Sequence, residues 1–406
     1  METVFIEGGV CAPDGFKAGG VHCGIRNNKG KNDLAMIVSE RMCAAAAVYT
    51  SNKVKGAPIE VTKENISDGR ARVLICNSGN ANTCAPGGME TALETCRITA
   101  EALGCSSRDV IIASTGVIGE KLDIAPFRSG IPELCRKLSP QGAAEAAEGI
   151  LTTDTVKKEA AVEFSIGGKK CRMGGMAKGS GMIHPNMATM LCFITSDAAV
   201  SPDMLQQILS EDVKGSFNQL SIDGDTSTND MVAVMASGAA GNPQITARGE
   251  EYDIFAQALR CVTENLVKKM AADGEGAGKL IEADVEGAPD MKTARAVSRS
   301  IISSSLFKAA MFGEDANWGR IICAIGYAQG SFSVGNIDID MESSGGMIPV
   351  CRGSTAVPFD EDRAAEILSK DEITVHVGMN QGCGRAKAWG CDLTHDYVTI
   401  NGDYRT

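Results

Sequence analysis

Short apolar runs bounded by turn residues alternate along this chain with longer stretches whose apolar positions recur every three or four residues. The runs at 33–38, 72–76, 110–113 and 162–166 predict strands, and the stretches 89–103, 126–138, 204–213, 251–271 and 293–310 predict amphipathic helices. Ser201-Pro202-Asp203 gives the third of these helices a start signal. Ile166-Gly167-Gly168-Lys169 predicts a hairpin turn. A buried strand is expected at 190–194, and after residue 331 the pattern returns to strands at 331–341, 372–377 and 397–400. The class is α/β. No fixed-period repeat or low-complexity linker marks a domain boundary.

Composition narrows the picture. With 406 residues, 44% hydrophobic and 22% charged, the chain can bury a sizeable core, which excludes disorder. A net charge of −12 and the lack of a basic run with interleaved aromatics argue against nucleic acid. The apolar stretches at 44–48 and 190–194 fall far short of the ~20 residues a membrane helix needs. The opening Met1-Glu2-Thr3 is unlike a signal peptide, so the expected location is the cytoplasm, with no membrane contact. Fifteen cysteines contain no CxxC pair and four histidines no HxxxH, so neither a disulfide framework nor a metal centre is expected.

Three glycine-rich segments invite a phosphate-binding reading and fail it. In Gly274-Glu275-Gly276-Ala277-Gly278-Lys279, Asp273 stands where a P-loop needs its first glycine, and Leu280 follows the lysine. The segment 174–181 does not place GxGxxG after a strong strand, and 77–82 offers amides without a lysine. No cofactor is expected. The segment 175–191 is more informative, because a glycine-rich approach runs into a buried strand with Thr189 at its start. The ordinary reading is a satisfied hydroxyl. A threonine becomes a nucleophile when a base stands beside it, and a cut before Thr189 would make one of its own α-amine, which titrates at ~8. Cys192 alternates along the same buried strand, with no histidine partner identifiable.

That segment, ending in Ala188-Thr189-Met190-Leu191, resembles the self-cleavage site of the glutamate N-acetyltransferase (ornithine acetyltransferase) family, and the similarity extends over essentially the whole chain. Asn77-Ser78-Gly79-Asn80-Ala81-Asn82, Ser114-Thr115-Gly116-Val117-Ile118-Gly119, Thr152-Thr153-Asp154-Thr155, Asp223-Gly224-Asp225-Thr226, Asp273-Gly274-Glu275-Gly276, Asn317-Trp318-Gly319-Arg320 and the terminal Asn401-Gly402-Asp403-Tyr404-Arg405-Thr406 match its pattern in order.

The resemblance implies a layered α/β fold of the self-processing N-terminal-nucleophile type. It implies cleavage between Ala188 and Thr189 into an α chain, 1–188, and a β chain, 189–406, which stay together as an αβ oligomer and line one active site. Thr189 then carries the acetyl group from N-acetylornithine to glutamate in a ping-pong reaction without metal or cofactor. Acetyl-CoA stays open as a second donor. Thr115 and Gly116 are the implied oxyanion hole. Thr152, Lys178, Thr189, Glu275, Asn401 and Thr406 are the implied substrate contacts, with Lys178 suited to an α-carboxylate and Glu275 to the terminal ammonium of ornithine. The 77–82 and 317–320 motifs are expected to support the pocket, and His184 to be loop structure. The rival reading is an aminopeptidase or amidase of related architecture that passes the acyl group to water.

Overall fold

The strands expected at 33–38, 72–76, 110–113 and 162–166 all form, and each outruns its apolar segment: Leu34–Tyr49, Arg70–Asn80, Val110–Val117 and Lys158–Ile166. They belong to the larger of two sheets in the computed structural model, which describes residues 3–27, 30–184 and 190–403. Among the described residues this sheet has nine strands. Its order is Val4–Ile6, Lys158–Ile166, Lys169–Lys178, Leu191–Ser196, Met231–Ala236, Leu34–Tyr49, Arg70–Asn80 and Val110–Val117, with Phe16–Val21 also paired to Leu34–Tyr49. Leu34–Tyr49 serves two neighbourhoods: its ladder with Arg70–Asn80 shifts register between Val38 and Cys43, and its last residues pair with Met231–Ala236.

Helices cover both faces of this sheet. Cys192 and Ile194 pack with Leu205 and Leu209 of helix Pro202–Asp212 and with Phe255, Leu259 and Val262 of helix Glu250–Ala272. Leu191 and Phe193 face the other way, into a core with Ile59 and with Ala146 and Ala147 of helix Ala143–Gly149. Burying one such large apolar side chain contributes roughly 1.5–3 kcal/mol. Strands between two such layers are buried throughout and read as continuous apolar runs rather than alternating ones. Periodicity alone therefore does not mark Met231–Ala236.

The second sheet runs Thr355–Ala356, Gly346–Arg352, Asp338–Ser343, Glu372–Gly378, Leu280–Ala288, Gly384–Cys391 and Leu220–Ser221. Helix Met291–Ile302 lies on it, burying Ala294, Val297 and Ile301. The layered α/β class holds.

Local chemistry explains where pattern and structure agree and part. The hairpin at 166–169 forms, because Gly167 and Gly168 take the consecutive positive φ values, 55° and 75°, of its two-residue turn. The stretch 293–310 is two helices, Met291–Ile302 and Ser305–Phe312. They break where the Ser304 hydroxyl accepts the Phe307 N–H at 3.3 Å and restarts the helix. The strand expected at 331–341 begins only at Asp338. The run 397–400 is not a strand but part of helix His395–Asp403. Thr394 accepts the Tyr397 N–H at 3.3 Å there, and Val398 and Ile400 face solvent. No helix among the described residues is long and apolar enough to cross a membrane.

Candidate active site

Two parallel strands create the first part of the site. Arg70–Asn80 and Val110–Val117 stay in register until Gly79, where the ladder shifts. Gly116 takes φ 131° there, and a Cβ on it would lie 2.3 Å from the Gly79 carbonyl carbon, so only glycine fits. Asn229 fixes both strand ends from the side, donating to the Ala81 carbonyl at 2.5 Å and the Ser114 carbonyl at 2.9 Å. The Ser114 hydroxyl in turn donates to Asn77 Oδ1 at 2.6 Å. The 77–82 motif thus supports the turn that presents Thr115 and Gly116.

Lys178 ends strand Lys169–Lys178 and donates from Nζ to Thr115 Oγ1 at 3.3 Å. An ammonium has no acceptor to return, so the Thr115 hydroxyl proton is left to point elsewhere. Lys178 is 9% exposed. Burial pulls its pKa below the usual lysine value, Lys158 pulls it further, and Asp154 and Asp230 oppose the change.

A buried ionic knot gathers the remaining turns. Lys158 is fully buried and donates from Nζ to Asp154 at 2.6 Å and to Asp273 at 2.5 Å. Asp154 also accepts the Gly179 N–H at 2.6 Å and the Thr152 N–H at 3.0 Å. Burial resists its charge, but Lys178 and Lys158 outweigh that and hold the carboxyl well below its usual range. Asp273 accepts the Thr155 and Val156 N–H groups and the Thr155 hydroxyl. The knot therefore joins the turn at Thr152, the turn after Lys178 and the turn that carries Glu275. The Glu275 N–H donates to the Ser180 carbonyl at 2.8 Å, and Glu275 Oε2 accepts from Asn401 Nδ2 at 2.8 Å. Gly181 lets that carboxylate lie against the chain, since a Cβ there would sit 2.3 Å from Oε2.

Together these elements enclose a cavity of about 310 Å³. Thr115, Gly116, Thr152, Lys178, Glu275 and Asn401 all line it, as do Met190 and Leu191. Ala188, Thr189 and Thr406 lie outside the described residues. Asp230 also lines it with Oδ2 buried and without a partner, and burial pushes this carboxyl well above the usual range against the pull of Ser227 and Lys178.

Sequence reasoning missed Asp154, Lys158, Asp273 and Asp230 as members of the site. Asp154 and Asp273 stood inside quoted motifs, which was the available signal. Lys158 gave none, because a lysine in an alternating strand reads as solvent-facing. Asn317 caps helix Trp318–Gly326, accepting the Arg320 N–H at 3.2 Å, and does not line this cavity. His184 lines a different cavity and bonds through Nδ1 to Ser221 Oγ at 3.0 Å. Burial and Arg299 push its pKa down to about 4, so it is neutral near pH 7. Cys192 is fully buried, which raises its thiol pKa and removes it as a nucleophile.

The ArgJ family model matches residues 17–406. The chain is 48% identical over 404 residues to the arginine biosynthesis bifunctional protein ArgJ of Symbiobacterium thermophilum, covering 99% of this chain and 100% of that protein. It is 45% identical over 407 residues to the protein of the same name from Bacillus subtilis, covering 100% and 98%. A crystal structure of arginine biosynthesis bifunctional protein argJ from Bacillus halodurans is similar at 45% identity and a TM-score of 0.50, the match covering 52% of this chain and 98% of that one.

Proposed function

The chain belongs to the ArgJ family, and on that premise we propose that it is a cytoplasmic, self-cleaving acetyltransferase of arginine biosynthesis that moves an acetyl group from N-acetylornithine to glutamate. The observation that carries this reading is a single cavity gathering Thr115, Gly116, Thr152, Lys178, Glu275 and Asn401, from both sides of residue 189. In the first step Thr189 Oγ attacks the Ala188 carbonyl, and hydrolysis of the resulting ester yields residues 1–188 and 189–406. A solved family chain that is matched almost entirely by about half of this one supports such a division. The pieces would not separate. Leu191–Ser196 is paired on one side to Lys169–Lys178, and Met231–Ala236 is paired to Leu34–Tyr49, so two ladders cross the cut.

The α-amine of Thr189 then acts as base, and its hydroxyl takes the acetyl group from N-acetylornithine as ornithine leaves. Glutamate attacks the acetyl ester and departs as N-acetylglutamate. Both tetrahedral oxyanions are met by the Thr115 hydroxyl, whose proton is freed for them by the Lys178 contact, and by the Gly116 amide. A preorganised donor of this kind lowers the barrier by about 3 kcal/mol. Lys178 holds the α-carboxylate common to both substrates. Glu275 pairs with the terminal ammonium of ornithine through Oε1, while Asn401 holds Oε2. The relatives' name, bifunctional, is consistent with a second activity, which we place as acetyl transfer from acetyl-CoA through the same threonine. The αβ pieces associate further as an oligomer. No step needs a metal or a cofactor.

Denaturing electrophoresis of purified protein is expected to give chains of 188 and 218 residues (406 − 188 = 218), and Thr189→Ala a single full-length chain. Purified protein that stays whole yet transfers acetyl groups normally would refute the N-terminal nucleophile. Acetyl groups released to water instead of glutamate would favour the amidase reading.

A further inference from the structure

A second and larger cavity, of about 790 Å³, lies beyond the wall of the first. The wall is the bridge between Ile183 and Thr226, tightened by the Thr226 hydroxyl donating to the His184 carbonyl at 2.9 Å. Met182 and Ser227 line the small cavity, while His184 and Thr226 line the large one.

Three cations of helix Met291–Ile302 also line this cavity: Lys292, Arg295 and Arg299. Spaced by three and four residues, they share one helix face and spread over about 10 Å. In a chain of net charge −12 such residues would be expected to find carboxylates. These do not. Among the described residues none of the three makes an ion pair, and Arg299 keeps Nε buried without a hydrogen-bond partner. The charges that act on the two arginines are no help either: burial alone disfavours the Arg299 cation, and burial with Arg260 disfavours that of Arg295. His184, bonded to Ser221 and neutral, offers no counter-charge, and the nearby Asp223 is occupied by the Met182 and Ile183 N–H groups at 2.6 and 2.9 Å. A solvated surface stripe would account for Lys292, which is exposed, but not for two half-buried arginines lining a cavity.

We propose that this second cavity binds the phosphoryl groups of a nucleotide-sized ligand. Guanidinium forks match phosphate oxygens in pairs. One carboxylate of an amino acid cannot reach cations spread over about 10 Å, whereas separated phosphates on one ligand can. The volume is more than twice that of the cavity assigned to amino-acid substrates. Tyr327, 61% exposed on the same lining, offers a ring face on which a base can stack. A coenzyme A thioester carries this chemistry, and so does a free adenine nucleotide.

The test is calorimetric titration of the purified wild-type protein with adenosine 3′,5′-bisphosphate, coenzyme A and inorganic pyrophosphate. Binding of the bisphosphate is expected to weaken as salt rises and to fall about tenfold or more with each of Arg295→Gln and Arg299→Gln. Tyr327→Ala should weaken the nucleotide but not pyrophosphate. Acetyl transfer from N-acetylornithine to glutamate should survive in Arg299→Gln, which also shows that the variant is folded. If acetyl-CoA-dependent transfer falls in that variant, the ligand is the acyl donor. If nucleotide binds while transfer from both donors is unchanged, it is a free nucleotide. No binding at millimolar ligand, or equal binding by wild type and the Arg295→Gln/Arg299→Gln double variant, overturns the proposal. Absence of N-acetylornithine transfer in the wild type would refute the proposed activity and leave this site standing.

Discussion

The two ends of the 310 Å³ cavity are built differently. At one end, Thr115, Gly116 and Lys178 sit on strands of the large sheet, buttressed by Asn229 and by the buried knot of Asp154, Lys158 and Asp273. At the other, Glu275 stands on a turn and Asn401 on helix His395–Asp403, none of whose described side chains is buried. That helix is held by small attachments: the Thr394 hydroxyl donates to the Gly276 carbonyl at 2.6 Å, and Phe312 meets His395 edge-on with centroids 5.5 Å apart. The sheet end is suited to catalysis, where donors must be in place before charge develops. The helical end is suited to telling substrates apart, where modest binding differences suffice.

The largest effect should come from untying the sheet end. Lys158→Met removes the only cation within ion-pair distance of Asp154 and Asp273 among the described residues and leaves two carboxylates in a dry site. The expected loss is about 3–5 kcal/mol of stability, read as a shift of the urea midpoint at constant slope. A stability loss under about 1 kcal/mol would mean that water relieves the knot. Acid should act on the same place. Asp154 has its carboxyl depressed in the folded state, so its stabilisation is present above the unfolded value of ~4 and fades as pH drops towards the folded one. The gap in stability between wild type and Asp154→Asn should therefore narrow below pH ~4.

Next in size is Thr115→Ala, which removes one of the two proposed oxyanion donors while leaving the strands and the Gly116 turn intact. Turnover is expected to fall by ~10² or more, with little change in apparent substrate affinity. Weaker affinity at an unchanged turnover number would move Thr115 from the oxyanion hole to ground-state binding.

The two ends also differed in how far the sequence disclosed them. An apolar run located the strand that carries Thr115, and the motifs around Thr152, Lys178 and Glu275 named side chains that the fold brings into one cavity, whereas the strand Lys169–Lys178 itself, ending in a glycine-rich stretch, was not foreseen. The knot was illegible, because pairing Lys158 with Asp273 depends on how the strand Lys158–Ile166 and the helix Glu250–Ala272 dock, which no local pattern encodes. Met231–Ala236 was hidden by burial on both faces. At the helical end, Tyr397 to Ile400 reads as a strand by composition, and the cap supplied by Thr394 decides otherwise. A short β-branched run carries less information than the single hydroxyl before it.

The smallest predicted effect belongs to the helical end and tests whether it discriminates at all. In the proposed assignment Lys178 holds the α-carboxylate shared by N-acetylornithine and glutamate, while the Glu275 carboxylate attracts the ornithine ammonium and repels the side-chain carboxylate of glutamate. Glu275→Gln keeps an amide oxygen for Asn401 Nδ2, so the contact that positions the side chain should survive. Acetylation of the enzyme by N-acetylornithine should weaken by about 1–3 kcal/mol, the size of a lost charge-assisted hydrogen bond. Discharge of the acetyl-enzyme by glutamate should be unchanged or slightly faster, because a repulsion has gone. Single-turnover measurement of each half-reaction separates the two. Equal losses in both would mean that Glu275 positions the groups common to donor and acceptor, and discrimination would then have to come from the cavity's sheet end after all.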